Sequence, residues 1–138
     1  MEFSLLTPSD YDDMYSLMNE YRENSPFSKE QFQEFLTTQP LTTQIWVAKV
    51  NGKIVSTAKI MYEKKLIFNM ATLAHIEDIC TFQSQQRKGY GKAIVQHLVQ
   101  EAKGNGCYKV TLCCNETNSS FYKACGLEVR GLQMSQLV

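Results

Sequence analysis

The hydrophobic positions near the N-terminus predict one short strand followed by two helices. Residues 3–6 form an apolar run typical of a strand, and Thr7 then caps a helix whose first turn holds proline and aspartate. The segment 24–27 ends that helix, and Ser28 begins a second one with a capping-box pattern to Gln31. The apolar residues at helical spacing are Tyr11, Met14, Leu17, Met18 and Tyr21 in the first helix, and Phe32, Phe35 and Leu36 in the second.

The middle of the chain carries strand patterns. Residues 45–50 and 54–60 flank Asn51 and Gly52, and this dipeptide between two apolar runs is the strongest short-range signal for a β-hairpin. Residues 73–81 form a further strand pattern. An amphipathic helix follows, and its apolar face consists of Ile94, Val95, Leu98, Val99 and Ala102.

The C-terminal part returns to short elements. Residues 110–114 predict a strand, Asn118 is placed to cap a short helix, and residues 128–134 predict a last strand. The order β-α-α-β-β-β-α-β-α-β predicts a mixed, mostly antiparallel sheet flanked by helices, with one parallel crossover. The expected fold class is therefore α/β in the mixed α+β sense, with a single domain over residues 1–138.

The composition excludes several classes of function. Lysine plus arginine and aspartate plus glutamate each number 14, so a net charge of zero gives no bulk argument for binding nucleic acid or an acidic membrane. The N-terminus lacks a signal-peptide pattern, and no apolar run approaches the roughly 20 residues of a membrane-spanning helix, so we expect a cytoplasmic protein. The 5 cysteines and 2 histidines show no metal-ligand or disulfide spacing, and we expect no metal.

A glycine-containing turn at residues 86–91, with the sequence QRKGYG, is the first candidate for chemistry. Glycines let backbone amides approach a ligand, the helix start adds unpaired N–H groups and a positive dipole, and Arg87 and Lys88 add local charge. These features describe a phosphate-binding turn, although the spacing matches neither a P-loop nor a Rossmann motif. The alternative is an ordinary strand-to-helix turn with solvated charges.

Two adjacent carboxylates, Glu77 and Asp78, lie in the middle of the strand at residues 73–81. Strand geometry predicts that their side chains point to opposite faces of the sheet. Two acids inside an apolar strand are costly, which favours a function for at least one of them. The other interpretation is one structural partner and one surface residue.

Several segments together resemble the glucosamine-6-phosphate N-acetyltransferases of the GNAT superfamily. The turn at residues 86–91 is similar to the Q-x-x-G-x-G loop that holds the pyrophosphate of acetyl-CoA in GNAT enzymes. The resemblance covers residues 44–134 and implies the GNAT acyl-CoA N-acyltransferase fold. The other matching segments are EKK at 63–65, HIEDI at 75–79, GCYKV at 106–110, Asn118 with FYK at 121–123, and Cys125 with Gly126.

The resemblance implies that acetyl-CoA is the co-substrate. The Ile79 N–H would polarise the acetyl carbonyl, and the backbone through Cys80 and Thr81 would pair with the pantetheine arm. The pyrophosphate would lie on the turn and the helix start, formed by Gln86, Arg87, Lys88, Gly89, Tyr90, Gly91 and Lys92.

The same resemblance assigns roles to two residues near the C-terminus. Tyr122 would protonate or stabilise the leaving thiolate as general acid, whereas the residues alone favour a core-facing aromatic pair with Phe121. Asn118 would hydrogen-bond the CoA arm or cap its helix, and the cap is the safer interpretation.

For the acceptor, Glu77 or Asp78 would orient the sugar and help to take the ammonium proton. Lys65 and Arg22 are candidates for its phosphate, and Cys113 stands where the family usually carries an acid that contacts the sugar. Three further positions depart from the family: Phe68 replaces a histidine, Leu137 replaces an arginine near the sugar phosphate, and Arg87 replaces a glycine.

The implied reaction is direct acetyl transfer, in a ternary complex, to the amine of D-glucosamine 6-phosphate, on the route to UDP-N-acetylglucosamine. The resemblance also implies a homodimer in which residues 128–138 help to build the partner's pocket. Two alternatives remain open, namely a GNAT enzyme for another small amine or peptide amine, and a non-catalytic acyl-CoA-binding module.

Overall fold

The computed structural model describes residues 1–22 and 26–138, and within them one five-stranded sheet forms the centre of the fold. The strands lie in sequence order, every neighbouring pair is antiparallel except the last, and that pair is parallel. The mixed, mostly antiparallel sheet predicted above is therefore confirmed. The strands are β1 Glu2–Leu5, β2 Thr43–Val50, β3 Lys53–Lys64, β4 Thr72–Thr81 and β5 Lys109–Thr111.

Helices cover both faces of this sheet. Val47 packs with the helices at the N-terminus, whereas its neighbour Ala48 packs with the long helix after β4, and adjacent strand residues face opposite sides. The long helix buries the apolar face that the sequence predicts, including Ile94, Leu98 and Ala102. The helices are α1 Tyr11–Tyr21, α2 Lys29–Thr38, α3 Ile67–Met70, α4 Tyr90–Gly104 and α5 Ser119–Ala124.

Local signals in the sequence account for several boundaries. The capping box before α2 is present, since the Ser28 N–H donates to Gln31 Oε1 at 2.8 Å and the Gln31 N–H donates to Ser28 Oγ at 3.1 Å. Asn51 and Gly52 have φ values of 51° and 77° in the predicted hairpin between β2 and β3. Residues 24 and 25 of the break predicted at residues 24–27 lie outside the described residues.

A β-bulge interrupts the ladder between β3 and β4. Thr57 pairs with Cys80 and Lys59 pairs with Glu77, so Ala58 alone faces two residues of β4. One of those two, Asp78, has a φ of 53°, which breaks the alternation of side chains. Ile76 and Ile79 both contact the core under α4, so the two residues between them share the other face. The prediction that Glu77 and Asp78 point to opposite faces is therefore wrong.

The C-terminal segment differs from the prediction. Residues 128–134 form no strand in this chain, and β5 ends at Thr111 instead of residue 114. A strand needs a neighbouring edge with which to share hydrogen bonds, and β5 pairs only with the first part of β4. The segment after residue 127 consequently leaves large apolar side chains in solvent: Val129, Leu132, Met134, Leu137 and Val138.

Candidate functional site

The second half of β4 has an open edge. β5 pairs with β4 only at Leu73, Ala74 and His75, so among the described residues no strand pairs with β4 on that side beyond His75. The bulge at Asp78 lies within this open stretch. Unpaired strand backbone is able to hydrogen-bond an extended ligand. Ile79, Cys80 and Thr81, which the sequence assigned to the cofactor, all lie here.

The N-terminus of α4 points its free N–H groups towards the same end of β4. Gly89, with a φ of 86°, precedes the helix and offers no side-chain cap, so the N–H groups of the first turn have no helical acceptor. Arg87 also has a positive φ of 62°. Lys88 and Lys92 are exposed beside this turn. Backbone donors, helix dipole and cations together suit an anion such as a pyrophosphate.

Gly91 marks where α4 comes closest to its neighbours. A Cβ on this residue would lie 3.3 Å from Thr81 Oγ1 and 3.3 Å from the Phe121 ring. Both distances are tighter than ordinary van der Waals contact. A side chain here would require Thr81 or Phe121 to shift by a few tenths of an ångström, and the contact joins α4 to β4 and to α5.

Tyr122 lies on α5, partly buried beside the open edge. Burial raises the pKa of its phenol above the ordinary value, and nearby Cys114, Cys125 and Tyr21 raise it further. The phenol thus keeps its proton at neutral pH and is able to donate it. The Phe121 and Tyr122 rings meet edge to face at 5.0 Å, but neither ring belongs to the buried core. The simpler interpretation of a core-facing pair is therefore wrong.

Asn118 does not cap α5. The cap is Asn115, whose Oδ1 accepts a hydrogen bond from the Asn118 N–H at 3.1 Å and another from Thr117 Oγ1 at 2.8 Å. The side chain of Asn118 is exposed and makes no capping bond. The predicted cap is placed three residues too late, because the turn begins with a 3-10 helix at Glu116–Asn118.

Asp78 forms an ion pair with Lys59 Nζ at 3.0 Å, and the ladder places Glu77 opposite Lys59. Lys59 and Asp78 border an apolar cavity of about 410 Å³ between the sheet and the first two helices. Its apolar walls include Met14, Met18 and Phe32. The two carboxylates thus lie on the face of the sheet that α1 and α2 cover.

The residues predicted to bind the acceptor, namely Arg22 and Lys65 for its phosphate and Cys113 for its sugar, lie beside different elements. Arg22 directly follows α1, and its guanidinium carbon lies 5.7 Å from the centre of the Tyr21 ring. Tyr21 is one of the groups that raise the pKa of Tyr122. Cys113 is exposed just after β5. Lys65 lies at the other end of β4, where its N–H donates to the Ala71 carbonyl at 2.8 Å. Because Ala71 and Ile79 are eight residues apart along the chain, roughly 25 Å of strand separates the backbone of Lys65 from Ile79.

Sequence reasoning missed several neighbours of the site. Lys59 was the easiest to find, since a lysine inside an apolar strand pattern needs a partner. Glu20 was harder, because its carboxylate accepts from the Gln83 N–H across 63 positions of sequence. Ser56 and Cys114 gave no sequence signal, since their contacts depend on the pairing of distant strands.

Two features of the described residues bear on a metal site and on membrane spanning. Within residues 1–22 and 26–138, no three histidine, cysteine, aspartate or glutamate side chains are grouped closely enough to hold a metal ion. The helices in the same residues are too short or too polar to cross a bilayer.

Comparison with known proteins then identifies the family. The model of the acetyltransferase (GNAT) family matches residues 11–127. The chain belongs to the GNAT acetyltransferase family. This GNAT protein is 34% identical to glucosamine 6-phosphate N-acetyltransferase of Candida albicans over 96% of this chain and 92% of that protein. It is 36% identical to glucosamine 6-phosphate N-acetyltransferase 1 of Dictyostelium discoideum over 98% and 89%, respectively.

The fold of this GNAT protein also matches a solved relative. The crystal structure of glucosamine-6-phosphate N-acetyltransferase from Arabidopsis thaliana superposes with a TM-score of 0.89 at 30% identity, covering 99% of this chain and 97% of that chain. The family predicted from the motifs is therefore confirmed, as is the GNAT fold.

Proposed function

We propose that this GNAT acetyltransferase transfers the acetyl group of acetyl-CoA to the amine of D-glucosamine 6-phosphate. The observation that carries the proposal is the contact of Gly91, at the start of α4, with Thr81 on the open edge of β4 and with Phe121, whose ring packs on that of Tyr122; we call the region around this contact the cleft. The similarity to glucosamine 6-phosphate N-acetyltransferases over nearly the whole chain supports this acceptor. The product would be N-acetyl-D-glucosamine 6-phosphate, a precursor of UDP-N-acetylglucosamine.

The residues of the cleft fit the two halves of acetyl-CoA, which supplies an acetyl group activated as a thioester. The edge of β4 from Ile79 to Thr81, which no described strand pairs on that side, offers strand-like hydrogen bonds to an extended pantetheine arm. The α4 N-terminus and the turn before it offer amides and cations to the pyrophosphate. The close approach at Gly91 keeps these two parts of the cleft together.

Direct transfer requires three tasks from the protein. The carboxylates of Glu77 and Asp78, on one face of β4, orient the acceptor and help to take the proton of its ammonium group. The Ile79 N–H stabilises the oxygen that becomes negative as the amine attacks. Tyr122, whose pKa is raised by burial, donates its proton to the departing thiolate.

We further propose that the active unit is a homodimer. The backbone of Lys65 lies roughly 25 Å along β4 from Ile79 of its own chain, which favours a role for Lys65 in the partner's site. The C-terminal segment leaves Leu132 and Leu137 almost fully exposed, at 96% and 99%, which suits a segment that packs on a second copy. Sedimentation at micromolar concentration tests this, and a monomer would contradict it. The cytoplasmic location expected from the sequence stays a prediction.

A second candidate is a GNAT enzyme for another amine. Cys113, Phe68 and Leu137 depart from the family pattern, Leu137 at an arginine that helps to hold the sugar phosphate, and the cavity beside Asp78 is largely apolar. Both observations favour an acceptor with less charge than a sugar phosphate.

Release of free CoA from acetyl-CoA, measured with a panel of amines, separates these functions. The panel contains glucosamine 6-phosphate, glucosamine, spermidine and a lysine peptide. Turnover selective for glucosamine 6-phosphate is the expected result. Turnover with only another amine would support the second candidate, and tight binding of acetyl-CoA without any turnover would favour a non-catalytic binding module.

A further inference from the structure

Ser56 is a fully buried polar residue in the middle of β3, next to the bulge. Its hydroxyl donates to the Cys80 carbonyl at 2.9 Å, and its oxygen also lies 2.9 Å from Thr81 Oγ1. A serine hydroxyl has one hydrogen, and here the Cys80 carbonyl takes it, so the Thr81 hydroxyl must donate to Ser56. One side chain therefore fixes both a carbonyl and a hydroxyl at the end of β4.

Thr81 in turn links the strand to the turn and to α4. Its carbonyl accepts a hydrogen bond from Gln86 Nε2 at 3.3 Å, and its Oγ1 lies 3.3 Å from the position of a Cβ on Gly91. The rotamer of Thr81 thus sets how closely the helix N-terminus approaches the strand edge. Ser56 selects that rotamer, because the Thr81 hydroxyl points its hydrogen at Ser56.

We propose that Ser56 is a positioning residue for acetyl-CoA. Ser56 is fully buried and acts through Thr81, holding the strand edge at Cys80 and Thr81 in register with the N-terminus of α4. The inference rests on the acetyl-CoA cleft proposed above and is independent of the acceptor. Part of the affinity for acetyl-CoA then depends on a hydroxyl that makes no contact with it.

Thr57 provides a matched control, since it is also buried in β3 and its hydroxyl donates at 2.9 Å to a carbonyl, that of Trp46 on β2. The Ser56→Ala variant should weaken acetyl-CoA binding, measured by calorimetry without acceptor, about fivefold. The Thr57→Val variant should lower the melting temperature by about as much as Ser56→Ala does, while its Kd for acetyl-CoA changes less than about twofold. Equal effects of both variants on Kd would reduce Ser56 to a general structural role and overturn the inference.

A double-mutant cycle with Thr81→Val tests whether Ser56 acts through Thr81. If it does, Thr81→Val alone should weaken binding as Ser56→Ala does, and the double variant should bind no more weakly than the weaker single variant. Additive losses would contradict the inference, as would an unchanged Kd in a folded Ser56→Ala protein. A wild-type chain without affinity for acetyl-CoA would instead overturn the proposed function, and this inference with it.

Discussion

The two ends of β4 differ in hydrogen bonding, and the difference shows where chemistry is possible on this sheet. At its start, Leu73, Ala74 and His75 are paired on both sides, with β3 and with β5. At its end, the strand is paired on one side only and carries the bulge at Asp78. We refer to these as the closed end and the open end.

The polar residues at the two ends also behave differently. At the closed end Glu63 accepts from Lys65 Nζ at 2.8 Å and lies 2.8 Å from His75 Nε2, so its polar groups satisfy one another. At the open end no described strand pairs with one edge of β4, and the first N–H groups of α4 have no helical acceptor. A complete hydrogen-bond network stabilises a structure, whereas an incomplete one in a cleft is able to bind.

The largest effect should come from Tyr122→Phe at the open end. Loss of the general acid is expected to lower kcat about 10³-fold with little change in the Kd for acetyl-CoA. In the wild type the contribution of Tyr122 should be lost as pH rises through the phenol's pKa, which burial places above 10.0, and this alkaline limb should be absent from the variant.

Tyr62→Phe is the matched control for that experiment. Tyr62 pairs with Ala74 at the closed end, and burial raises the pKa of its phenol as well. The control should retain kcat and its alkaline limb. A Tyr122→Phe enzyme that turns over like the wild type would remove Tyr122 from the mechanism.

Gly91→Leu should have the next largest effect. The Cβ of the added side chain would lie 3.3 Å from Thr81 Oγ1 and from the Phe121 ring. The rest of the leucine side chain would push α4 away from the open end. We expect the Kd for acetyl-CoA to rise about 10²-fold, as measured by calorimetry. Gly104→Ala, at a helical glycine with no neighbour within 4 Å, should leave this Kd unchanged. Wild-type affinity in Gly91→Leu would show that the contact does not shape the cleft.

Lys65→Ala tests whether the closed end takes part in binding the acceptor. Loss of a cation that binds phosphate should raise the KM for glucosamine 6-phosphate about tenfold and leave the KM for glucosamine unchanged. Lys64→Ala, at the neighbouring exposed lysine, controls for overall charge. Equal changes with the two sugars would exclude Lys65 as a phosphate ligand.

Glu63→Gln should have the smallest effect and should be confined to the acceptor. The hydrogen bond from Lys65, with a second from His75, holds the pKa of Glu63 below its ordinary value. The interaction of the Glu63 carboxylate with Lys65 is therefore complete at neutral pH, and it is lost only as pH falls through that lowered pKa. At neutral pH the variant should raise the KM for glucosamine 6-phosphate about threefold. A changed Kd for acetyl-CoA would mean that the two ends are coupled.

Features that depend on neighbouring residues in sequence were predictable. The Asn51-Gly52 hairpin, the Ser28 capping box and the apolar face of α4 each follow from a local pattern, and the structure contains all three. The turn at residues 86–91 was predicted to bind phosphate from glycines before an amphipathic helix; the structure places the turn before α4, and the binding stays a prediction.

Features that depend on strand register were not predictable. The bulge at Asp78 exists because β3 and β4 differ by one residue between two pairs of partners, and no local pattern reveals this. The missing strand at residues 128–134 also depends on pairing, since its pattern is strand-like but it pairs with no strand in the described residues. The distance of Lys65 from the open end likewise follows only from the direction of β4.

Asp78 is the extra residue that the bulge adds to β4, so the bulge corresponds to a single codon. Without Asp78, β4 would read Ile76, Glu77, Ile79, Cys80, an unbroken alternation of core and opposite face. Such a strand would pair regularly with β3 and would carry one carboxylate instead of two. One codon, that of Asp78, thus distinguishes a regularly paired β4 with one carboxylate from the bulged β4, which carries two on the face that α1 and α2 cover.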